Sequence, residues 1–121
     1  MKKILLIEDD KLFVRIYRNQ LTKAGYEVKF LENGLNAVKT AREFKPDLVM
    51  LDIVMPIKDG FDSLTELKAD PTTKEIPVFV LSALESASDV KKVRDLQAKK
   101  YIFKSSNSLT NVIAEIKNFL Q

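Results

Sequence analysis

Four short apolar runs in this chain stop abruptly at polar or charged residues. Ile4 to Ile7 leads into Glu8 and Asp9, Leu48 to Leu51 into Asp52, Val78 to Leu81 into Ser82, and Tyr101 to Phe103 into Lys104. Apolar runs this short, bounded by turn residues, read as buried strands. Tyr26 to Leu31 alternates enough for one more. The predicted strands are residues 2–7, 26–31, 47–52, a fourth beginning at Pro77, and 100–103.

Between the strands the apolar residues recur at helical spacing. The first helix is predicted from Asp10 to Ala24, with Phe13, Ile16, Leu21 and Ala24 inward and Gly25 as its left-handed stop. Asn33-Gly34 turns the chain into a second helix with Leu35, Val38 and Ala41 inward, and Pro46 blocks its continuation. A third opens at Gly60, buries Phe61, Leu64 and Leu67, and ends at Asp70-Pro71. Ser86, with Asp89 three residues on, resembles a capping box for a fourth helix whose inner stripe, Val90, Val93 and Leu96, is thin. The last helix buries Leu109, Val112, Ile113, Ile116 and Leu120.

Strict strand–helix alternation with short connections predicts an α/β fold, a doubly wound five-stranded parallel sheet with five helices. The flavodoxin-like order 2-1-3-4-5 has its switch point between the first and third strands, which sets Glu8 and Asp9 beside Asp52. Residues 1–121 are expected to form one domain with no output domain. All the polar endings then gather at one edge of the sheet, where open α/β folds bind ligands.

Composition narrows the chemistry. The absence of cysteine removes disulfides and thiol catalysis and suits a reducing cytosol. The absence of histidine excludes a Ser-His-Asp triad, an imidazole base and a His-ligated metal. Only four apolar residues separate Lys2-Lys3 from the first acids, too few for a signal peptide, and no run approaches the roughly 18 residues of a membrane span. A cytoplasmic protein, with no membrane or nucleic-acid partner, is expected. Net charge is +3, too mild to argue for nucleic acid.

Carboxylates crowded at one edge repel one another and raise each other's pKa unless a cation joins them. Glu8, Asp9 and Asp52 therefore read as a divalent-metal site, and oxygen-only ligation selects a hard ion such as Mg²⁺. Each residue also has an ordinary structural reading. Acids after a strand cap helix N-termini, an aspartate can precede a turn, a serine can cap one, and a lysine can lie along the surface. Taken together, a metal, a carboxylate nucleophile, the Ser82 hydroxyl and the Lys104 cation are what transfer of a phosphoryl group to a carboxylate requires.

On these residues the chain resembles the receiver domains of bacterial two-component response regulators, most of all the stand-alone chemotaxis type. The resemblance covers essentially the whole chain. It is carried by Glu8-Asp9 after the first strand, Leu48-Val49-Met50-Leu51-Asp52, Met55-Pro56 followed by Asp59-Gly60, Leu81-Ser82-Ala83, and Tyr101-Ile102-Phe103-Lys104. It implies that Asp52 is the phosphoacceptor. Asp9 and Asp52 would hold Mg²⁺ by carboxylate, with Glu8 assisting through water and the Val54 backbone carbonyl as a further ligand. Ser82 would be the switch hydroxyl, Lys104 the cation on the phosphoryl oxygens, and Tyr101 an aromatic switch turning inward when Ser82 moves. As an edge-strand tyrosine, Tyr101 also has a plain packing role beside the fourth helix. The resemblance further implies a histidine kinase or histidine phosphotransfer protein as donor, self-catalysed phosphorylation and dephosphorylation, and an output protein bound through the fourth helix, fifth strand and fifth helix.

The chain departs from the family pattern in two places. Ser105 follows Lys104 where proline, commonly with a cis peptide, is usual, and Gln97 stands where glycine usually ends the fourth helix. A cis bond before a non-proline costs about 3 kcal/mol and a left-handed glutamine about 1–2 kcal/mol. Val54 and Leu84, which in the family flank the path of the attacking water, are apolar here, so a long-lived acyl phosphate is expected. From Leu84 onward, Lys91, Lys92, Arg94, Lys99, Lys100, Lys104 and Lys117 stand against Glu85, Asp89, Asp95 and Glu115. That surplus equals the whole net charge, which is read either as a solvated face or as a docking surface for an acidic output partner. The alternatives are a receiver-like protein-binding module that works without phosphate, and an aspartyl phosphatase. The phosphatase lacks its second acid, because Val54 occupies that place.

Overall fold

A computed structural model describes residues 1–121. The elements run β1 (Lys3–Ile7), α1 (Lys11–Lys23), β2 (Glu27–Leu31), α2 (Ala37–Phe44), β3 (Leu48–Leu51), α3 (Gly60–Ala69), β4 (Val78–Ser82), α4 (Ala87–Asp95), β5 (Lys100–Phe103) and α5 (Leu109–Leu120). The strands form one parallel sheet in the order β2-β1-β3-β4-β5, as expected from the sequence.

Strand alternation divides the core in two. Ile4 and Leu6 of β1, Leu48 and Met50 of β3, and Phe79 and Leu81 of β4 face Val14, Tyr17 and Leu21 of α1 and Val112, Ile116 and Leu120 of α5. Leu5, Ile7, Val49, Leu51, Val78 and Val80 face α2, α3 and α4. Both faces of the central strands are covered, which explains their unbroken apolar runs.

Two expectations about inward residues fail. Ile16 is 40% exposed, and Val14 and Tyr17 join the expected Leu21 in the buried stripe of α1, with Phe13 packed at its margin. Leu35 is 60% exposed. It precedes the helix, because the Asn33 side chain accepts the Leu35 amide at 2.9 Å and holds the chain in a turn until Ala37. Two helix ends share one solution. At Gly25 (φ 97°) and at Gln97 (φ 69°) the left-handed residue and its successor return their amides to the last turn, Gly25 to Thr22, Tyr26 to Leu21, Gln97 to Arg94 and Ala98 to Val93. Gln97 thus adopts the conformation that glycine takes at lower cost.

Candidate functional site

The sheet delivers the polar residues to its edge by continuing its own ladder one step past each strand. Ile7 stands opposite Leu51, so Glu8 and Asp52 leave the sheet side by side. The Glu8 amide donates to Leu31 at 3.0 Å, that of Asp52 to Ile7 at 3.0 Å, and that of Lys104 to Ser82 at 2.9 Å. Each backbone is therefore fixed before its side chain does anything. Gly60 adds a fourth constraint. Its amide donates to Ile53 at 2.8 Å, and a Cβ there would lie 2.3 Å from the Asp52 carbonyl oxygen. Only glycine lets α3 start so close to the strand exit.

The acids divide their work. Asp10 caps α1, its carboxylate accepting the amides of Leu12 at 3.0 Å and Phe13 at 3.2 Å. Glu8 Oε1 also accepts the Asp10 amide at 3.2 Å, so the helix entry uses Asp10 and one Glu8 oxygen and gives Asp9 no part. Carboxylate oxygens of Glu8, Asp9 and Asp52 lie within 4.8 Å of one another. Glu8 and Asp52 are only 2% and 5% exposed, whereas Asp9 is open to solvent. The Lys104 Nζ reaches Glu8 Oε2 at 2.9 Å and Asp52 Oδ2 at 3.5 Å.

One ammonium does not balance this cluster. Burial first, then the Asp52 charge, pushes Glu8 up to about 7 against the Lys104 hydrogen bond. Burial raises Asp52 as well, with Lys104 opposing. Both groups are short of positive charge, and an all-oxygen donor set suits a hard dication. The residues present fit the ion that the sequence implies.

The other candidate residues converge on the β4–α4 connection. Ser82 is wholly buried at the end of β4, and its Oγ accepts the Leu84 amide at 3.1 Å. Half-buried Tyr101 donates its hydroxyl to the Leu84 carbonyl at 2.7 Å. Ala83 is exposed. Val54, just past Asp52, is 57% exposed, so that loop carries an apolar side chain into solvent. The Lys104–Ser105 peptide is trans.

Sequence reasoning missed two features. The Lys104 Nζ sits 4.5 Å from the centroid of the Phe13 ring, which periodicity marks only as a core residue. The helix α1 also carries Lys11, Arg15, Arg18 and Lys23 with no acid, so positive charge is not confined to the C-terminal third. The largest surface hollow, about 670 Å³ between α1 and β2, is lined in part by Lys11, Arg15 and Arg18 and contains no carboxylate. No helix is long and apolar enough to cross a membrane.

Comparison with known proteins agrees with this geometry. Residues 4–117 match the model of the response regulator receiver domain. The chain is 33% identical over 119 residues to the polar-differentiation response regulator DivK of Brucella anthropi, a match covering 98% of this chain and 96% of that protein. It is similar to the Mn²⁺-bound form of response regulator Rcp1, with a TM-score of 0.86 and 33% identity over 99% of this chain and 94% of that one. It is also similar to the phosphorylated cyanobacterial phytochrome response regulator RcpA, with a TM-score of 0.81 and 35% identity over 98% and 90% of the two chains. A family match over nearly the full length, on a sheet of the order read from the sequence, leads to one conclusion: the chain belongs to the response regulator receiver domain family.

Proposed function

We propose that this receiver domain is a phosphorylation switch in which Asp52 accepts a phosphoryl group in a Mg²⁺-dependent reaction. The observation that carries the reading is the convergence of the Glu8, Asp9 and Asp52 carboxylates within 4.8 Å, with Lys104 as their single cation. Asp9 and Asp52 would hold the ion by carboxylate, Glu8 would assist, and the Val54 carbonyl would complete the protein's share. When bound, Mg²⁺ supplies charge neutralisation for the acids and for the phosphoryl oxygens. An Asp52 oxygen forms the new O–P bond as the donor's P–N bond breaks, and the donor imidazole leaves with the bonding pair. The family supplies such a donor as a phosphohistidine, and as this chain has no histidine it lies on another protein, a histidine kinase or phosphotransfer protein. Leu12 and Ile16, exposed on the first turns of α1 after Asp9, offer that protein an apolar strip.

The new group adds about −1.5 to −2 in charge at the strand ends. Lys104 meets that charge, Ser82 turns its hydroxyl toward the phosphoryl oxygens, and the Leu84 amide and Tyr101 lose their present arrangement. The output is a population shift in the α4-β5-α5 face toward the form that binds a partner protein. Arg94 and Lys99 on that face favour an acidic partner surface, whereas Lys91 is already paired with Asp95 at 2.7 Å. With Val54 and Leu84 apolar, no side chain at those positions orients a hydrolytic water, and the acyl phosphate is long-lived.

Intact-protein mass spectrometry after incubation with acetyl phosphate and Mg²⁺ tests the reading. The expected result is one phosphoryl adduct, lost in Asp52→Asn and on chelation of the metal. A wild-type chain that takes no adduct from any donor, or an adduct retained by Asp52→Asn, would overturn it.

A further inference from the structure

Lys104 leaves β5 with a fixed backbone and a flexible aliphatic stem. Three groups hold its ammonium: Glu8 Oε2 at 2.9 Å, Asp52 Oδ2 at 3.5 Å, and the face of the Phe13 ring at 4.5 Å from its centroid. The first two are themselves candidate metal ligands, and one is the candidate phosphoacceptor. Any cation or phosphoryl group arriving at the strand ends competes for their oxygens. The Phe13 ring has no ionisable or reacting atom, so its attraction for an ammonium is the same at every stage.

The ring is also well placed to hold something. It stacks on Tyr17 with centroids 4.2 Å apart and planes 12° from parallel, and Tyr17 is only 6% exposed. Its own amide is tied to the Asp10 carboxylate at 3.2 Å. Lys104 itself is 22% exposed, so the contact is partly shielded from water, where such attractions strengthen.

We propose that Phe13 is a positioning residue for Lys104: its ring face holds the ammonium over the strand ends while the carboxylates change partners. This rests on the reading of Lys104 as the cation that meets the phosphoryl oxygens, and the experiment separates the two.

In metal-free protein, the Lys104 ε-protons are expected to resonate upfield of ordinary lysines through the ring current, to lose that shift in Phe13→Leu, and to keep it in Phe13→Tyr. With acetyl phosphate and Mg²⁺, Phe13→Leu is expected to slow adduct formation about five-fold, and Phe13→Tyr to recover most of the rate. In a Lys104→Met background, Phe13→Leu is expected to change the rate no further. A Lys104 signal at the ordinary lysine position in the wild type overturns the proposal. So does an equal slowing by Phe13→Leu with and without Lys104, which would mean that the ring acts only by packing. A wild type that takes no phosphoryl group would defeat the proposed function, and the ε-proton shift would still decide what Phe13 does.

Discussion

Two helices on the same face of the sheet are held in opposite ways. The third buries Gly60, Ser63, Leu64 and Leu67, and its first residue presses on the backbone that follows β3. The fourth buries Val93 alone. Around it Leu84, Leu96 and Ala98 pack only partly buried, and the remaining ties are the Lys92 ammonium 4.0 Å from the centroid of the Phe61 ring and the Tyr101 hydroxyl on Leu84. One wall of the site belongs to the core, and the other rests on one buried valine and on contacts worth about 1 kcal/mol each. In the proposed switch, a change of charge at the strand ends would act on the second wall, which is held less firmly than the first.

The comparison is broken most severely at Gly60. Gly60→Ala is expected to destabilise the protein by about 3 kcal/mol, because the new Cβ meets Asp52 and Ile53 backbone rather than a side chain that can swing away. Urea denaturation measures this, and a shift in midpoint near zero would show that α3 floats as freely as α4. Val93→Ala is expected to cost about 2 kcal/mol and to raise amide exchange in α4 while leaving α3 protected. Equal loss of protection in both helices would refute the distinction.

A metal-dependent effect should follow in size. Glu8 is raised from 4.5 to about 7, so between those values the folded metal-free chain binds more protons than the unfolded one. Its stability therefore falls as pH rises through that window. Mg²⁺ is expected to raise the melting temperature most above about pH 7 and least below pH 4.5, read from thermal melts with Mg²⁺ and with chelator. The smallest effect is expected at Tyr101. Removing its hydroxyl in Tyr101→Phe should cost about 1 kcal/mol and loosen the β4–α4 connection, visible as faster exchange at α4 amides alone.

What could be read from the sequence follows the same division. The strands and the gathering of the candidate residues at one edge were legible because each apolar run ends where a parallel strand must end, and the ladder then fixes the next residue. The inner face of α1 was legible only in part: Leu21 is buried and Phe13 packs on the core as expected, but Ile16 is exposed and Val14 and Tyr17 were not foreseen. Its apolar residues form two stripes, Leu12 with Ile16 and Val14 with Tyr17 and Leu21, and spacing alone does not say which one meets the sheet. Leu35 was misplaced because an asparagine side chain competes with the helix for its amide. The pairing of Phe13 with Lys104 joins the first helix to the end of the last strand, and no local pattern carries a contact of that range. The Ser86 cap of α4 was legible, its Oγ accepting the Asp89 amide at 3.2 Å, but the shorter aspartate takes the Ser86 hydroxyl at 2.6 Å instead of its backbone amide, so the reciprocal half of the box does not form.

Leu84 is grasped from both sides of its own residue, its N–H by a serine at the end of one strand and its C=O by a tyrosine from the neighbouring strand. It therefore works like a pin through two levers. Slackening either grip leaves the other pulling on an unbalanced joint, so in the proposed switch a signal that reached the serine would need to travel no farther than one amino acid to be felt at the sheet's outer edge.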